Sequence, residues 1–311
     1  MTQQQKNEVV ALIEVEINRL GSQEKVAKKC SVSPATVSQM RAGNWDNIAD
    51  SMWSKVASYL GYRPSGWQMA EITNTRIIQH VLDNAKQQSL FMAVSHRAGS
   101  GKTAGQMAYE AVNRGNSVFA LSCREWAKRE FLQNLAASLG LEAWNKTLSM
   151  DTLLMAITDF FKVRAAQRPL LILDEADKLK GPAIRTLITL FNECEDRLGV
   201  VIIGTDHLAK QMQADARYNR KGAEELLSRF GRRFINLVGA TLQDVAQICT
   251  ANGVSDRETI KSIFKECEPV NRMVGGQSKE VVEDLRRVKR AVQRELLKQI
   301  ESAPEMEAEA A

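Results

Sequence analysis

The sequence predicts an α/β fold: a parallel sheet between helices, preceded by a small helical module and followed by a helical C-terminal region. Three observations predict it. Short, almost wholly apolar runs recur at 90–94, 118–121, 170–173, 200–203 and 234–238, with helical patterns between them at 102–114, 124–139, 150–167 and 182–197. Strands of a parallel sheet are covered on both faces, so they read as continuous apolar runs and not as alternation. A glycine-rich segment, SHRAGSGKT at 95–103, joins the first run to a helix-forming one, and the third run closes on an acidic pair in LLILDEAD at 170–177.

Residues 1–62 read as a separate helical domain. Within it, QEKVAKKCSVSPATVSQMRAG at 23–43 has the pattern of two short helices about a tight turn. Val26, Cys30, Val37 and Met40 fall on inward faces at helical spacing, and Ala27 sits where only a small side chain fits a helix crossing. Ser33 is a natural N-cap and Pro34 suits a first helical turn. The second helix then presents Ala35, Thr36, Ser38, Gln39 and Arg41 outward. Gln pairs with adenine, Arg with guanine or phosphate, and Thr with either. Lys25, Lys28 and Lys29 are placed to hold a phosphate backbone. The same helix pair also occurs as a plain packing or protein-contact unit. The family of phage repressors has a similar helix-turn-helix, usually with glycine in the turn where this chain has Ser31.

The turn-rich stretch GYRPSG at 61–66 marks a break. A linker and lead-in helix take up 63–89, and the strand–helix core 90–239. A helical region follows at 240–300, with Thr241 as an N-cap and Ser278 capping a long amphipathic helix that runs to about 300. That helix carries an apolar stripe (Val281, Val282, Leu285, Val288, Val292, Leu296) beside Arg286, Arg287, Lys289, Arg290 and Arg294. The basic side is either a solvated face or a contact for a partner. The acidic stretch 301–311, without aromatics, is expected to be disordered.

The glycine-rich turn carries the chemistry. Between a strand and a helix, Gly99, Ser100 and Gly101 aim backbone N–H groups at phosphates, and the helix dipole favours the same anions. Lys102 reaches the β- and γ-phosphates of a nucleotide, and Thr103 offers a hydroxyl to Mg²⁺. Asp174, at the end of a buried strand, holds that Mg²⁺ through water, and Glu175 is placed to orient and deprotonate an attacking water. One position departs from G-x-x-x-x-G-K-[ST]: His96 stands where the first glycine is usual. The plain alternative is a strand–helix turn with no ligand. In VVIIGTDHL at 200–208, Thr205 touches the γ-phosphate or the attacking water, with Asp206 as the alternative, or the segment is simply a strand-end turn. In EELLSRFGRRFINL at 224–237, Arg229 ends a helix and can reach a neighbouring subunit's nucleotide, whereas Arg232 and Arg233 better suit a surface or DNA-facing role.

These motifs together — SHRAGSGKT, LLILDEAD, GTD and LLSRFGRR — resemble the AAA+ ATPases. The layout of the whole chain, with ITNTRIIQHVLDNAK leading into the core, resembles more narrowly the transposon ATPases typified by the phage Mu target-DNA activator. That resemblance implies an AAA+ P-loop core with a helical lid and ATP and Mg²⁺ as cofactors. It implies homo-oligomers, as filament or ring, on double-stranded DNA. These would recruit or activate a transposase, with ATP hydrolysis driving release. It further implies Arg229 as arginine finger, Thr205 in the sensor 1 position, where the family often has Asn, and Arg272, in EPVNRMV, as the sensor 2 arginine. A DNA-binding regulator with a nucleotide switch and a helicase-loader-like ATPase are the other classes.

Composition narrows the choice. Net charge +5, with 44% hydrophobic and 25% charged residues, is ordinary for a globular protein and permits a polyanionic partner. No apolar run approaches the roughly 18 residues of a membrane span, and the N-terminus lacks a signal-peptide layout. Five scattered cysteines without a CxxC pair imply reduced thiols in a cytoplasm, and three unclustered histidines make a structural zinc site unexpected. DEAD at 174–177 does not make a DEAD-box helicase, which needs two motor lobes. The GTPase pattern N-K-x-D is absent, because Asn145-Lys146 continues as Thr147-Leu148.

Overall fold

The computed structural model describes residues 1, 3–45, 48–62, 67–113, 115–141 and 148–301. The proposed linker turn at 63–66, the Asn145–Thr147 stretch and the acidic tail from 302 lie outside the described residues. The chain divides into two compact units, Met1–Gln68 and Met69–Ala311.

The described residues of the first unit form four helices: α1 (Gln3–Leu20), α2 (Gln23–Lys29), α3 (Pro34–Arg41) and α4 (Asp50–Tyr59). Its core gathers Val9, Ile13, Val26, Ala27, Cys30, Val37, Met40 and Trp53, all fully buried. Hydroxyls stop the fraying of both short helices. Ser22 Oγ accepts from Lys25 N at 3.2 Å, and Ser33 Oγ accepts from Thr36 N at 3.1 Å, with Pro34 in the first turn of α3. Between the helices Ser31 takes φ +52°, the left-handed region where glycine is the commoner occupant.

The second unit is an α/β fold. After α5 (Thr73–Gln88), strands β1 (Phe91–Ser95), β2 (Val118–Ser122), β3 (Leu170–Asp174), β4 (Gly199–Gly204) and β5 (Phe234–Ile235) form one parallel sheet in the order β2-β3-β4-β1-β5. The helices between them are α6 (Lys102–Val112), α7 (Lys128–Ser138), α8 (Met150–Val163), α9 (Gly181–Ile184), α10 (Thr186–Cys194), α11 (Asp206–Arg217) and α12 (Ala223–Arg229). Alternate residues of each inner strand face opposite layers. Leu171, Leu173, Val200 and Ile202 pack with Phe131, Ile157 and Leu190, whereas Leu170, Ile172, Val201 and Ile203 pack with Ile78, Leu82 and Tyr109. This double covering explains the unbroken apolar runs. Gly199 admits α5: a Cβ there would lie 2.2 Å from the Ala85 carbonyl oxygen.

The C-terminal part differs from its expectation of helices alone. Helices α13 (Leu242–Ala251) and α14 (Arg257–Glu266) are followed by an antiparallel hairpin, β6 (Val270–Val274) and β7 (Gln277–Val281), before α15 (Leu285–Glu301). Gly275 and Gly276, at φ +58° and +79°, make the two-residue turn that a hairpin favours. Most hairpin residues are exposed, so no apolar run announced it. Ser278 therefore lies inside β7 and caps nothing; Asp284 caps α15 instead, its Oδ1 accepting from Arg286 N at 2.9 Å. β5 is also shorter than expected, pairing with β1 only at Phe234 and Ile235.

Candidate active site

The C-terminal ends of β1, β3 and β4 share one edge of the sheet, where a parallel α/β sheet places its ligands. The loop from β1 to α6 bends through Gly99 and Gly101, at φ +82° and +87°. Its lysine is folded inward. Lys102 Nζ donates to His96 O at 2.6 Å, Arg97 O at 2.7 Å and Ser100 Oγ at 3.2 Å, and only 8% of the residue is exposed. Burial lowers its pKa, opposed by the charges of Asp174 and Asp177. Phosphate oxygens in this loop would replace neutral carbonyl acceptors with charged ones, which bind an ammonium more strongly.

The unusual His96 is accommodated by the backbone. It is not among the positive-φ residues, so this position does not need glycine. Its N–H donates to Gly204 O at 3.3 Å, fixing the loop to the end of β4. Burial, and then the charge of Lys102, lower the imidazole pKa, and Nε2 is buried without a hydrogen-bond partner.

Thr103 and Asp174 meet: Thr103 Oγ1 donates to Asp174 Oδ2 at 2.7 Å. Asp174 is 4% exposed, and burial raises its pKa against the lowering by Thr103 and the Glu175 N–H. A hydroxyl beside a carboxylate whose ionised form lacks solvent is an oxygen donor set that suits a hard divalent cation. No cluster of three or more His, Cys, Asp or Glu ligands occurs among the described residues, so such an ion would need phosphate oxygens as co-ligands.

Glu175 follows in a left-handed backbone conformation, φ +55°. Its carboxylate pairs with Lys178 at 2.7 Å and accepts from Ser122 Oγ at 3.3 Å. The sequence reading missed Ser122. Its proximity depends on the register of β2 with β3, which sets Ser122 opposite Asp174. Thr205 Oγ1 donates to Asp177 Oδ2 at 2.6 Å. Asp206 turns to Lys210 at 2.6 Å, a hydrogen bond that lowers its pKa.

Asn74, also missed, is 1% exposed and ties three segments together. Nδ2 donates to Ser100 O at 3.0 Å, while Oδ1 accepts from Val238 N at 3.0 Å and Gly239 N at 3.2 Å. Only the folded chain brings residue 74 to residues 100 and 238.

Arg272, on β6, is bound to Glu283, which also holds Arg97 at 2.8 Å. Burial raises the Glu283 pKa, but Arg272, Arg97 and His96 outweigh it and leave the carboxyl below its ordinary value. Arg272 thus stands near the start of the loop, already neutralised. Leu285 instead donates its backbone N–H to Gly99 O at 2.9 Å. Arg286 comes next: it is exposed, makes no ion pair among the described residues, and its charge acts on Lys102. The helix expected to start after Ser278 begins at Leu285.

Arg229 ends α12 with its guanidinium 4.7 Å from the Phe191 ring and 3.3 Å from Glu225, and none of these contacts is to its own phosphate loop. Its Nε is buried without a partner. Arg232 pairs with Glu224 at 2.5 Å.

In the first unit, Ser38, Gln39, Lys25 and Lys28 are exposed, and among the described residues none of them forms an ion pair. The other candidates are engaged. Arg41 donates to Glu14 at 2.6 Å and Gln23 at 2.7 Å, Lys29 pairs with Glu16 at 2.8 Å, and Thr36 bonds Ser33 within the helix cap.

Residues 83–212 match the family model described as AAA domain. Cdc6p from Pyrobaculum aerophilum has a similar structure, with TM-score 0.50 and 16% identity over 76% of this chain. That match takes in 65% of the Cdc6p chain, so this chain spans just under two thirds of its length. The Aeropyrum pernix ORC2 protein, solved as ADPNP-ADP complexes, aligns with TM-score 0.41 and 15% identity over 57% of this chain and 50% of that one. The Thermotoga maritima RuvB Holliday junction branch migration motor aligns with TM-score 0.34 and 15% identity over 72% and 70%. No curated protein sequence matches. The parallel five-stranded sheet among helices, followed by the mainly helical C-terminal region, is an AAA+ fold.

Proposed function

On the premise of an AAA domain over residues 83–212, we propose that the chain is an ATP-hydrolysing, DNA-binding protein that assembles on duplex DNA in its ATP-bound form. The observation that carries this reading is the Thr103–Asp174 contact at 2.7 Å, with Lys102 inside the loop beside it and Glu175 one residue beyond. Lys102 and the loop N–H groups bind the phosphates. Thr103 and Asp174 would hold Mg²⁺, which when bound neutralises charge on the β- and γ-phosphates. Glu175 takes the proton of the attacking water. Arg229 of one subunit reaches the nucleotide of the next and neutralises charge developing on the γ-phosphate. Arg286, from the C-terminal region, takes the place expected of Arg272. Exposed Ser38, Gln39, Lys25 and Lys28 meet DNA, and the weak contacts of many subunits add as avidity. Loss of the bridging phosphate loosens the assembly. Recruitment or activation of a transposase is the finer part of this reading and rests on the resemblance of chain layout.

A second reading, an ATPase acting on a protein partner, draws support from the internal pairing of Arg41 and Lys29, which leaves the α2–α3 pair less basic than its sequence suggests. Fluorescence anisotropy of labelled duplex DNA with ATP, ADP or no nucleotide separates the two. ATP-specific tightening that is lost in Lys102→Ala supports DNA assembly; no duplex binding in any state supports the protein-directed ATPase.

A further inference from the structure

The Thr205 hydroxyl is already oriented, and the orientation limits what it can do to a nucleotide. A threonine hydroxyl has one proton to donate and two lone pairs to accept with. At 2.6 Å from Thr205 Oγ1, the Asp177 carboxylate takes the proton. One lone pair receives the His207 N–H at 3.3 Å. What remains is a single lone pair. A phosphate oxygen is an acceptor and makes no hydrogen bond to a lone pair; a water molecule, which donates, does.

The seat of Asp177 is built for this contact. A Cβ on Gly204 would lie 2.8 Å from Asp177 Oδ1, so the glycine preceding Thr205 leaves the space the carboxylate occupies. Thr205 is fixed from the backbone side as well, because Ser95 Oγ donates to Thr205 O at 2.7 Å. Asp177 also borders a cavity of about 140 Å³ whose lining, including Leu208, Met212 and Leu226, contains no residue of the phosphate loop.

We propose that Asp177 is a positioning residue that turns Thr205 into an acceptor for the attacking water, so that the pair acts on the water and not on the γ-phosphate. The inference rests on the ATPase reading above. In the step it describes, one water proton is donated to Thr205 Oγ1 and the other passes to Glu175. The oxygen lone pair left over faces phosphorus, the new O–P bond forms, and the bond from the γ-phosphorus to the bridging oxygen breaks, with ADP as leaving group. Thr205 keeps its own proton on the Asp177 side throughout.

The test compares wild type, Thr205→Val, Thr205→Ser and Asp177→Ala for phosphate release and for the affinities of a non-hydrolysable ATP analogue and of ADP. The expected result is a kcat about tenfold lower in Thr205→Val and Asp177→Ala, the scale of one lost hydrogen bond in the transition state. The ratio of analogue to ADP affinity stays within twofold, and Thr205→Ser retains most of the rate. Asp177→Ala also removes a negative charge that acts on Lys102, so a charge effect on affinity runs toward tighter phosphate binding, opposite to the loss that a damaged loop gives. An unchanged kcat in Thr205→Val overturns the proposal. So does a tenfold loss of preference for the ATP analogue over ADP, which would make Thr205 a phosphate contact. A wild type that binds no ATP, or binds it without turnover, fells the ATPase reading itself, a result distinct from either.

Discussion

Leu285 donates its backbone N–H to the Gly99 carbonyl at 2.9 Å, and this bond seats the start of α15 on the phosphate loop. The surrounding contacts reinforce it. A Cβ on Gly99 would lie 2.0 Å from Asp284 Oδ1, and Glu283 bridges Arg97 of the loop to Arg272 of the hairpin. The C-terminal region is therefore positioned to respond to whatever the loop binds.

Glu283→Gln should loosen this seat in a pH-dependent way. The folded carboxyl has a lowered pKa, so its contribution is present above the ordinary Glu value of about 4.3 and is lost as pH falls through the folded value. The difference in thermal midpoint between wild type and variant should be full at pH 7 and should shrink as pH falls below about 4, which thermal melts at several pH values would show. A constant difference across that range would assign the effect to something other than the charge.

Arg286→Ala should weaken ATP binding more than ADP binding, by about tenfold in the ratio, whereas Arg272→Ala should leave the ratio unchanged and lower the melting temperature slightly. Nucleotide titrations of both variants distinguish the two arginines. The reverse result would restore Arg272 to the role that the resemblance gave it.

Glu175→Gln should slow phosphate release by about 10²–10⁴-fold while keeping ATP affinity, because the amide cannot take the proton. Complexes with DNA formed in ATP should then persist, as dissociation kinetics would register. Equal lifetimes for variant and wild type would uncouple hydrolysis from release.

Arg229→Ala should lower hydrolysis by about 10³-fold without loosening ATP binding, the scale expected of an arginine finger. Mixing it with Lys102→Ala, itself inactive, should regain activity, because a mixed assembly pairs an intact loop with an intact arginine across one interface. Failure of the mixture to recover would place Arg229 in its own subunit's chemistry or outside it.

Glu14→Gln should free Arg41 for a phosphate or a base. Duplex affinity should rise, and the dependence of log K on log salt should steepen by about one unit. An unchanged slope would mean that the outer side of α3 does not meet DNA.

The sheet and the phosphate loop were legible in the sequence because their determinants are local. A strand covered on both faces leaves an apolar run, and a phosphate turn needs its glycines and lysine side by side. Thr103 and Asp174, 71 positions apart, were brought together by the same motif logic. Ser122, Asp177 and Asn74 were not legible as functional partners. Each owes its position to strand register or to the approach of distant segments, and a lone Ser, Asp or Asn carries no periodic signal. The hairpin was missed for a different reason: its residues face solvent, so hydrophobic patterning is silent there, and only Gly275-Gly276 marked the turn. For the same reason the start of α15, expected just after Ser278, lies further on at Leu285.

The central claim is that ATP joins subunits into an assembly on DNA. Electron microscopy of the full chain with duplex DNA in ATP, in ADP and without nucleotide tests it most directly. The account predicts filaments or rings on DNA in ATP and their absence in the other two conditions. Single particles in all three, or identical assemblies in all three, would contradict it.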